Sequence, residues 1–162
     1  MWHRKILGWV ILLILVLAVQ GLAQKGLKTK VVAPSIAGLT PDGRPFEGLT
    51  ALPKPLLIYF WGSWCGICKS MQGALTGIGK EASVLSVALS SGDPQTVSSY
   101  MQAQGFELPT VVDDDGKVAQ SYGVHGVPAL FFVDRQGVIQ QVTTGYTTRL
   151  GIRLRLWWAG RS

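Results

Sequence analysis

At 162 residues with two cysteines, the chain is long enough for one domain whose core stands without structural disulfides, which leaves the cysteines free for chemistry. The net charge of +6 invites a nucleic-acid reading, but Arg4, Lys5, Lys25, Lys28 and Lys30 carry five of those charges with no acid among them. Residues 31–162 hold ten Lys and Arg against nine Asp and Glu, a balance that excludes a phosphate-tracking surface and with it nucleic acid as a partner.

The five basic residues bracket Ile6 to Leu22, whose centre, Val10 to Val19, has no polar side chain. Seventeen residues at about 1.5 Å rise just reach the roughly 30 Å of a bilayer core, with Trp2 and Trp9 near one interface. Residues 1–30 therefore read as an uncleaved membrane anchor with its linker, and residues 31–162 as the folded domain. The competing reading is a cleaved signal peptide, with Gly21-Leu22-Ala23 as the small-x-small cleavage site. Basic residues on both sides leave the orientation undecided by the positive-inside rule. Either reading sends residues 31–162 out of the cytoplasm, where dithiols cycle against the disulfides of other proteins.

Gln24 to Pro34 is a polar linker, and Ser35–Thr40 and Arg44–Gly48 around the turn Pro41-Asp42-Gly43 predict an N-terminal hairpin. Leu56–Trp61, apolar throughout, predicts a central strand covered on both faces. A helix follows through Met71, Leu75 and Ile78 to Gly79, then a buried strand over Val84–Leu89. Asp93 as N-cap and Pro94 at the first helical position open another helix, which Gly105 stops. Thr110–Val112 is a short strand, Asp113–Gly116 a turn and Lys117–Tyr122 a short helix. Ala129–Asp134 and Val138–Thr144 form a hairpin, and Thr147–Ala159 a final helix whose stripe Leu150, Leu154, Trp157 is expected to pack on the sheet. Its Arg149, Arg153, Arg155, Trp157 and Trp158 offer an alternative contact with a bilayer interface. This order implies an α/β fold with a mixed sheet and helices on both sides.

The two cysteines sit as Trp64-Cys65-Gly66-Ile67-Cys68, where the apolar strand gives way to the first helix. Free N–H groups and the positive dipole end at a helix start favour a thiolate on the first sulfur. Cys65 is thus the expected nucleophile and Cys68, one turn on, the thiol that resolves its mixed disulfide; together they are the redox-active disulfide. This chemistry needs no organic cofactor and no metal. Trp64 supplies a flat apolar rim for a docking partner, whereas Trp61 on the strand is expected in the core.

Leu57 to Lys69 around the C-x-x-C, followed about sixty residues later by Tyr122-Gly123-Val124-His125-Gly126-Val127-Pro128-Ala129-Leu130, resembles the active site and cis-proline loop of the thioredoxin fold. The hairpin before the active-site strand is similar to that of thiol-disulfide oxidoreductases attached to bacterial inner membranes. The anchor, the Cys-Gly-Ile-Cys variant and the Gly151–Ala159 ending resemble the suppressor-of-copper-sensitivity protein D group, tethered in the periplasm. The resemblance implies a cis Pro128 opposite the sulfurs and a backbone at Val127 that pairs with an extended stretch of substrate, through main-chain hydrogen bonds largely independent of sequence. It further implies cysteine-bearing protein substrates and a membrane thiol-transporting reductase as electron donor, with the protein acting as a reductant on the periplasmic side of the inner membrane. Disulfide donation is the alternative direction. A copper-binding chaperone using the same sulfurs, with His125 nearby, is the alternative from another class. Two departures bear on mechanism: Tyr59 stands where soluble thioredoxins carry a buried acid, and Met71 where the cytochrome c maturation reductases carry a Glu.

Overall fold

The computed structural model describes residues 29–162. The expected anchor over residues 6–22 lies outside them, and among the described residues no helix is long and apolar enough to cross a membrane. Strand β1 (Leu56–Trp61) is buried at every position. It pairs in parallel with β2 (Ser83–Leu89) and antiparallel with β4 (Ala129–Val133). Strand β3 (Thr110–Asp113) extends the sheet beside β2, and β5 (Ile139–Thr144) beside β4, giving the order β3-β2-β1-β4-β5.

Because side chains alternate along a strand, β1 feeds two cores. Leu57, Tyr59 and Trp61 face helices α1 (Gly66–Gly79), α2 (Pro94–Gln104) and α4 (Arg149–Ala159), while Leu56, Ile58 and Phe60 face α3 (Lys117–Tyr122) and the N-terminal segment. Each fully buried Leu, Ile or Phe is worth about 1.5–3 kcal/mol, so the doubly covered β1 is the best-held platform in the fold. Trp61 is in the core as expected, its indole stacked on Tyr100 and edge-on to Phe106. Its N–H donates to Ser86 Oγ, and Ser86, Thr110 and the Leu108 carbonyl carry the bond onward.

Three expectations change. The predicted N-terminal hairpin is present but short: Leu39 pairs with Pro45 between the Thr40 N–H to Arg44 O bond at 2.8 Å and the Phe46 N–H to Gly38 O bond at 3.0 Å. On its outer side the Leu39 carbonyl accepts the Val112 N–H, so the hairpin covers the β3 edge. The last part of the linker is not free: Lys30 to Ala33 lie along the start of β5, with Lys30 N–H to Ile139 O at 2.7 Å and Ile139 N–H to Val31 O at 2.8 Å. Val31 and Val32 are β-branched and suit that edge.

The third change is on α4. Leu150, Leu154 and Trp157 do not pack on the sheet; Ile152, Leu156 and Ala159 do. Both series have the i, i+4, i+7 spacing, so periodicity alone does not rank them. Burial does: Ile152 and Ala159 are fully buried and Leu156 nearly so, in the cluster with Leu57, Tyr59 and Leu75, while the other stripe faces outward.

Candidate active site

Helix α1 starts at Gly66 because Cys65 is its N-cap: the Cys65 Sγ accepts the Cys68 N–H at 3.1 Å. The two sulfurs are joined in a disulfide with Cα atoms 5.2 Å apart. When that bond opens, the same N–H and the positive helix end favour negative charge on Cys65. Cys65 is 8% exposed and Cys68 is 0%, so Cys65 is the sulfur an incoming group meets first.

The Val127–Pro128 peptide is cis, as expected, and the Val127 carbonyl oxygen lies 3.7 Å from Cys65 Sγ. Lys54–Pro55 is cis as well. Pro128 is buried and Val127 half-buried between the two cores. The Pro128 carbonyl accepts the Gly145 N–H, which ties the loop to the end of β5. Among the described residues the Val127 N–H has no partner. It is a free main-chain donor on the residue whose carbonyl lies nearest Cys65 Sγ.

Trp64 is 61% exposed yet held. Its indole N–H donates to the Ser90 carbonyl at 3.1 Å, and the ring lies over Gly62, where a Cβ would come within 2.6 Å of it. The Ser63 N–H donates to Ser91 Oγ at 3.0 Å. The sequence reading singled out Trp64 but missed Gly62, Ser90 and Ser91. The available signal was the Ser90-Ser91-Gly92 run directly after β2, because parallel pairing of β1 with β2 brings both strand ends to one side. With exposed Ile67, the indole frames an apolar rim around Cys65.

Behind Cys68 the surroundings are nearly all apolar. Met71 is buried, and the Tyr59 hydroxyl donates to the Cys68 carbonyl over a long 3.5 Å. Burial, with a smaller contribution from neighbouring Tyr100, pushes the Tyr59 phenol well above its ordinary range, so it stays neutral and serves as a donor, not as a base. Gln72, also buried, donates to the Tyr100 hydroxyl at 3.1 Å. The buried carboxylates are spent elsewhere: Asp113 accepts the Val118 and Ala119 N–H groups, and Asp134 those of Gln136 and Val138. His125 is exposed, and among the described residues no three His, Cys, Asp or Glu side chains converge as a metal site.

The same architecture occurs in known proteins. Over 107 residues the chain is 36% identical to a thioredoxin-like protein of Haemophilus influenzae, covering 65% of this chain and 64% of that one. It is 27% identical to the thiol-disulfide oxidoreductase ResA of Geobacillus thermodenitrificans, with 95% of each chain covered. The crystal structure of a thio-disulfide isomerase from Thermus thermophilus superposes with a TM-score of 0.65 at 28% identity, covering 83% of this chain and 98% of that one. Residues 30–142 match the AhpC/TSA family, and the chain belongs to it.

Proposed function

We propose that this protein is a thiol-disulfide oxidoreductase acting on cysteines of other proteins through the Cys65–Cys68 couple. The observation that carries the reading is the single reachable sulfur, Cys65, held at a helix N-terminus with the Val127 carbonyl of the cis-proline loop 3.7 Å from it. In the reducing direction the Cys65 thiolate attacks a substrate disulfide, forming a mixed disulfide and expelling one substrate thiolate. Cys68 then attacks Cys65 Sγ, releasing the second substrate thiol and closing the Cys65–Cys68 bond. Two electrons pass to the substrate, and a dithiol donor restores the couple. Trp64, Val127 and Pro128 form the substrate-binding side: an extended peptide adds beside Val127 while its apolar residues rest on the indole.

Attachment of residues 6–22 to a bacterial inner membrane, with residues 31–162 in the periplasm, completes the reading. Its support is the apolar run with its basic flanks. Likeness to the suppressor-of-copper-sensitivity protein D group supports the reducing direction and a membrane thiol-transporting reductase as the donor. The test is reduction of a protein disulfide by the purified protein with dithiothreitol, with Cys65→Ser as control, followed by equilibration against glutathione. A potential nearer the roughly −270 mV of thioredoxin than the roughly −120 mV of DsbA supports a reductant; the reverse identifies a disulfide donor. Full turnover by Cys65→Ser sinks the whole assignment.

A further inference from the structure

Helix α4 carries an apolar stripe that nothing in the described chain covers. Leu150 is 67% exposed, Leu154 58%, Trp157 60% and Trp158 42%. On a helix at 100° per residue these four fall on one side, opposite the buried Ile152, Leu156 and Ala159. The flanks are basic: residues 149–162 contain Arg149, Arg153, Arg155 and Arg161 and no acid, with Glu81, just past α1, pairing with Arg149 and, at 3.4 Å, with the half-exposed Arg153. The Arg161 guanidinium lies 4.5 Å from the Trp157 ring and the Lys30 ammonium 5.3 Å from the Trp158 ring.

The chain path places this face. Hydrogen bonds to Ile139 pin Lys30 to the β5 edge, beside Trp158. From Leu22, the end of the apolar run, to Lys30 is eight residue steps, which reach at most about 29 Å when fully extended. A domain tethered there has its exit point, and the tryptophans next to it, confined to the neighbourhood of the bilayer surface. Tryptophan is favoured at that interface, and arginine and lysine reach from it to phosphate head groups.

We infer that the Leu150, Leu154, Trp157 and Trp158 face of α4 lies on the membrane, with its apolar side chains in the interfacial layer and Arg153, Arg161 and Lys30 on anionic phospholipid. The inference rests on the attachment through residues 6–22 given above and adds to it a fixed orientation of the domain. The opposite sheet edge at β3, with Leu39 exposed, then faces away from the lipid.

The test uses the full chain in nanodiscs of phosphatidylethanolamine and phosphatidylglycerol that contain a nitroxide-headgroup lipid, read by methyl NMR. The expected result is relaxation enhancement at the Leu150 and Leu154 methyls several-fold above that at Leu39, falling by half or more in an Arg153→Glu, Arg161→Glu double variant whose dithiothreitol reduction rate is unchanged. Equal enhancement at Leu39 and Leu154 describes a freely tumbling domain and overturns the inference. So does a stripe shielded from the nitroxide, whether by a second copy, shown by dependence on protein concentration, or by residues 6–22 folded back, shown by contacts in lipid-free detergent. A chain that leaves the nanodiscs altogether sinks the attachment itself, whereas one that stays with Leu154 unaffected sinks only the docked face.

Discussion

The indole of Trp64 occupies the space that a side chain on Gly62 would need, since a Cβ there would stand 2.6 Å from Cε2 and 2.8 Å from Nε1 of the ring. An exposed tryptophan is therefore fixed before any partner arrives, by Gly62 beneath it and the Ser90 carbonyl beside it. Pre-ordered aromatic surface binds with less loss of conformational freedom than a mobile side chain.

Gly62→Ala should release the indole and raise KM for a protein disulfide about tenfold, the effect of roughly 1.4 kcal/mol of lost contact, with kcat little changed. Trp64→Ala should do the same, and dithiothreitol, which needs no rim, should reduce both variants at the wild-type rate. Steady-state kinetics with the two substrates check this. Unchanged KM in both variants removes Trp64 from substrate binding.

The difference in exposure between the two sulfurs leads to an asymmetry between their serine variants. Cys68→Ser leaves the reachable Cys65 able to attack but with nothing to resolve the product, so mixed disulfides with protein substrates should accumulate and appear as reducible bands on gels. Cys65→Ser should give neither bands nor turnover. Bands from Cys65→Ser and none from Cys68→Ser would reverse the assigned roles.

Much of this site was readable because local chemistry announces it. The C-x-x-C after an apolar strand, Asp93-Pro94 at one helix start and Gly105 at its end all act within a few residues of themselves, and each appears where expected. What could not be read depends on which surfaces meet. The two stripes of α4 are equivalent as patterns and are separated only by which of them meets the core under the sheet. Ser90 and Ser91 matter only because β2 runs parallel to β1. The pairing of Lys30 to Ala33 with β5 joins segments over a hundred residues apart and has no local signature beyond two valines.

Asp113, at the start of the expected turn Asp113–Gly116, is buried and both its carboxylate oxygens accept N–H groups, Val118 at 2.9 Å and Ala119 at 2.8 Å. It thereby caps α3, whose N-cap Gly116 has no side chain for the purpose. Asp113→Ala should cost about 1–3 kcal/mol by chemical denaturation, because two buried donors lose their acceptor. Asp113→Asn keeps one acceptor and should lose less. A change within about 0.5 kcal/mol for the alanine variant would show that the cap contributes nothing.

Tyr59 and Tyr122 are buried, and burial raises both phenols above the ordinary value near 10. A group whose protonated form is favoured in the folded state stabilises fully below its unfolded value and loses that contribution as pH rises toward the folded one. Stability should therefore hold to about pH 10 and fall above it. Tyr59→Phe removes only a long hydrogen bond, so it should cost less than about 1 kcal/mol at pH 7 and flatten the alkaline fall. Denaturation curves at pH 7, 9 and 11 read both effects. Exchange activity at pH 7 should survive the substitution, because a neutral phenol accepts no proton from Cys68; loss of exchange would instead place Tyr59 in the chemistry.

Attachment is separable from catalysis. If residues 6–22 span the membrane, the mature protein begins near Met1, stays with membranes through alkaline carbonate and high salt, and exposes Cys65 to an impermeant thiol reagent added, after reduction, from outside the inner membrane. Adsorption by Lys25, Lys28 and Lys30 alone would not survive the salt wash, since at 1 M ionic strength charges are screened beyond about 3 Å. An N-terminus at Gln24 with the protein in the soluble periplasmic fraction would establish cleavage after Gly21-Leu22-Ala23. Disulfide exchange by Cys65 and Cys68 would be untouched by that result, because no residue of the site lies before Tyr59, whereas the docked face of α4 would lose the tether that brings it to lipid.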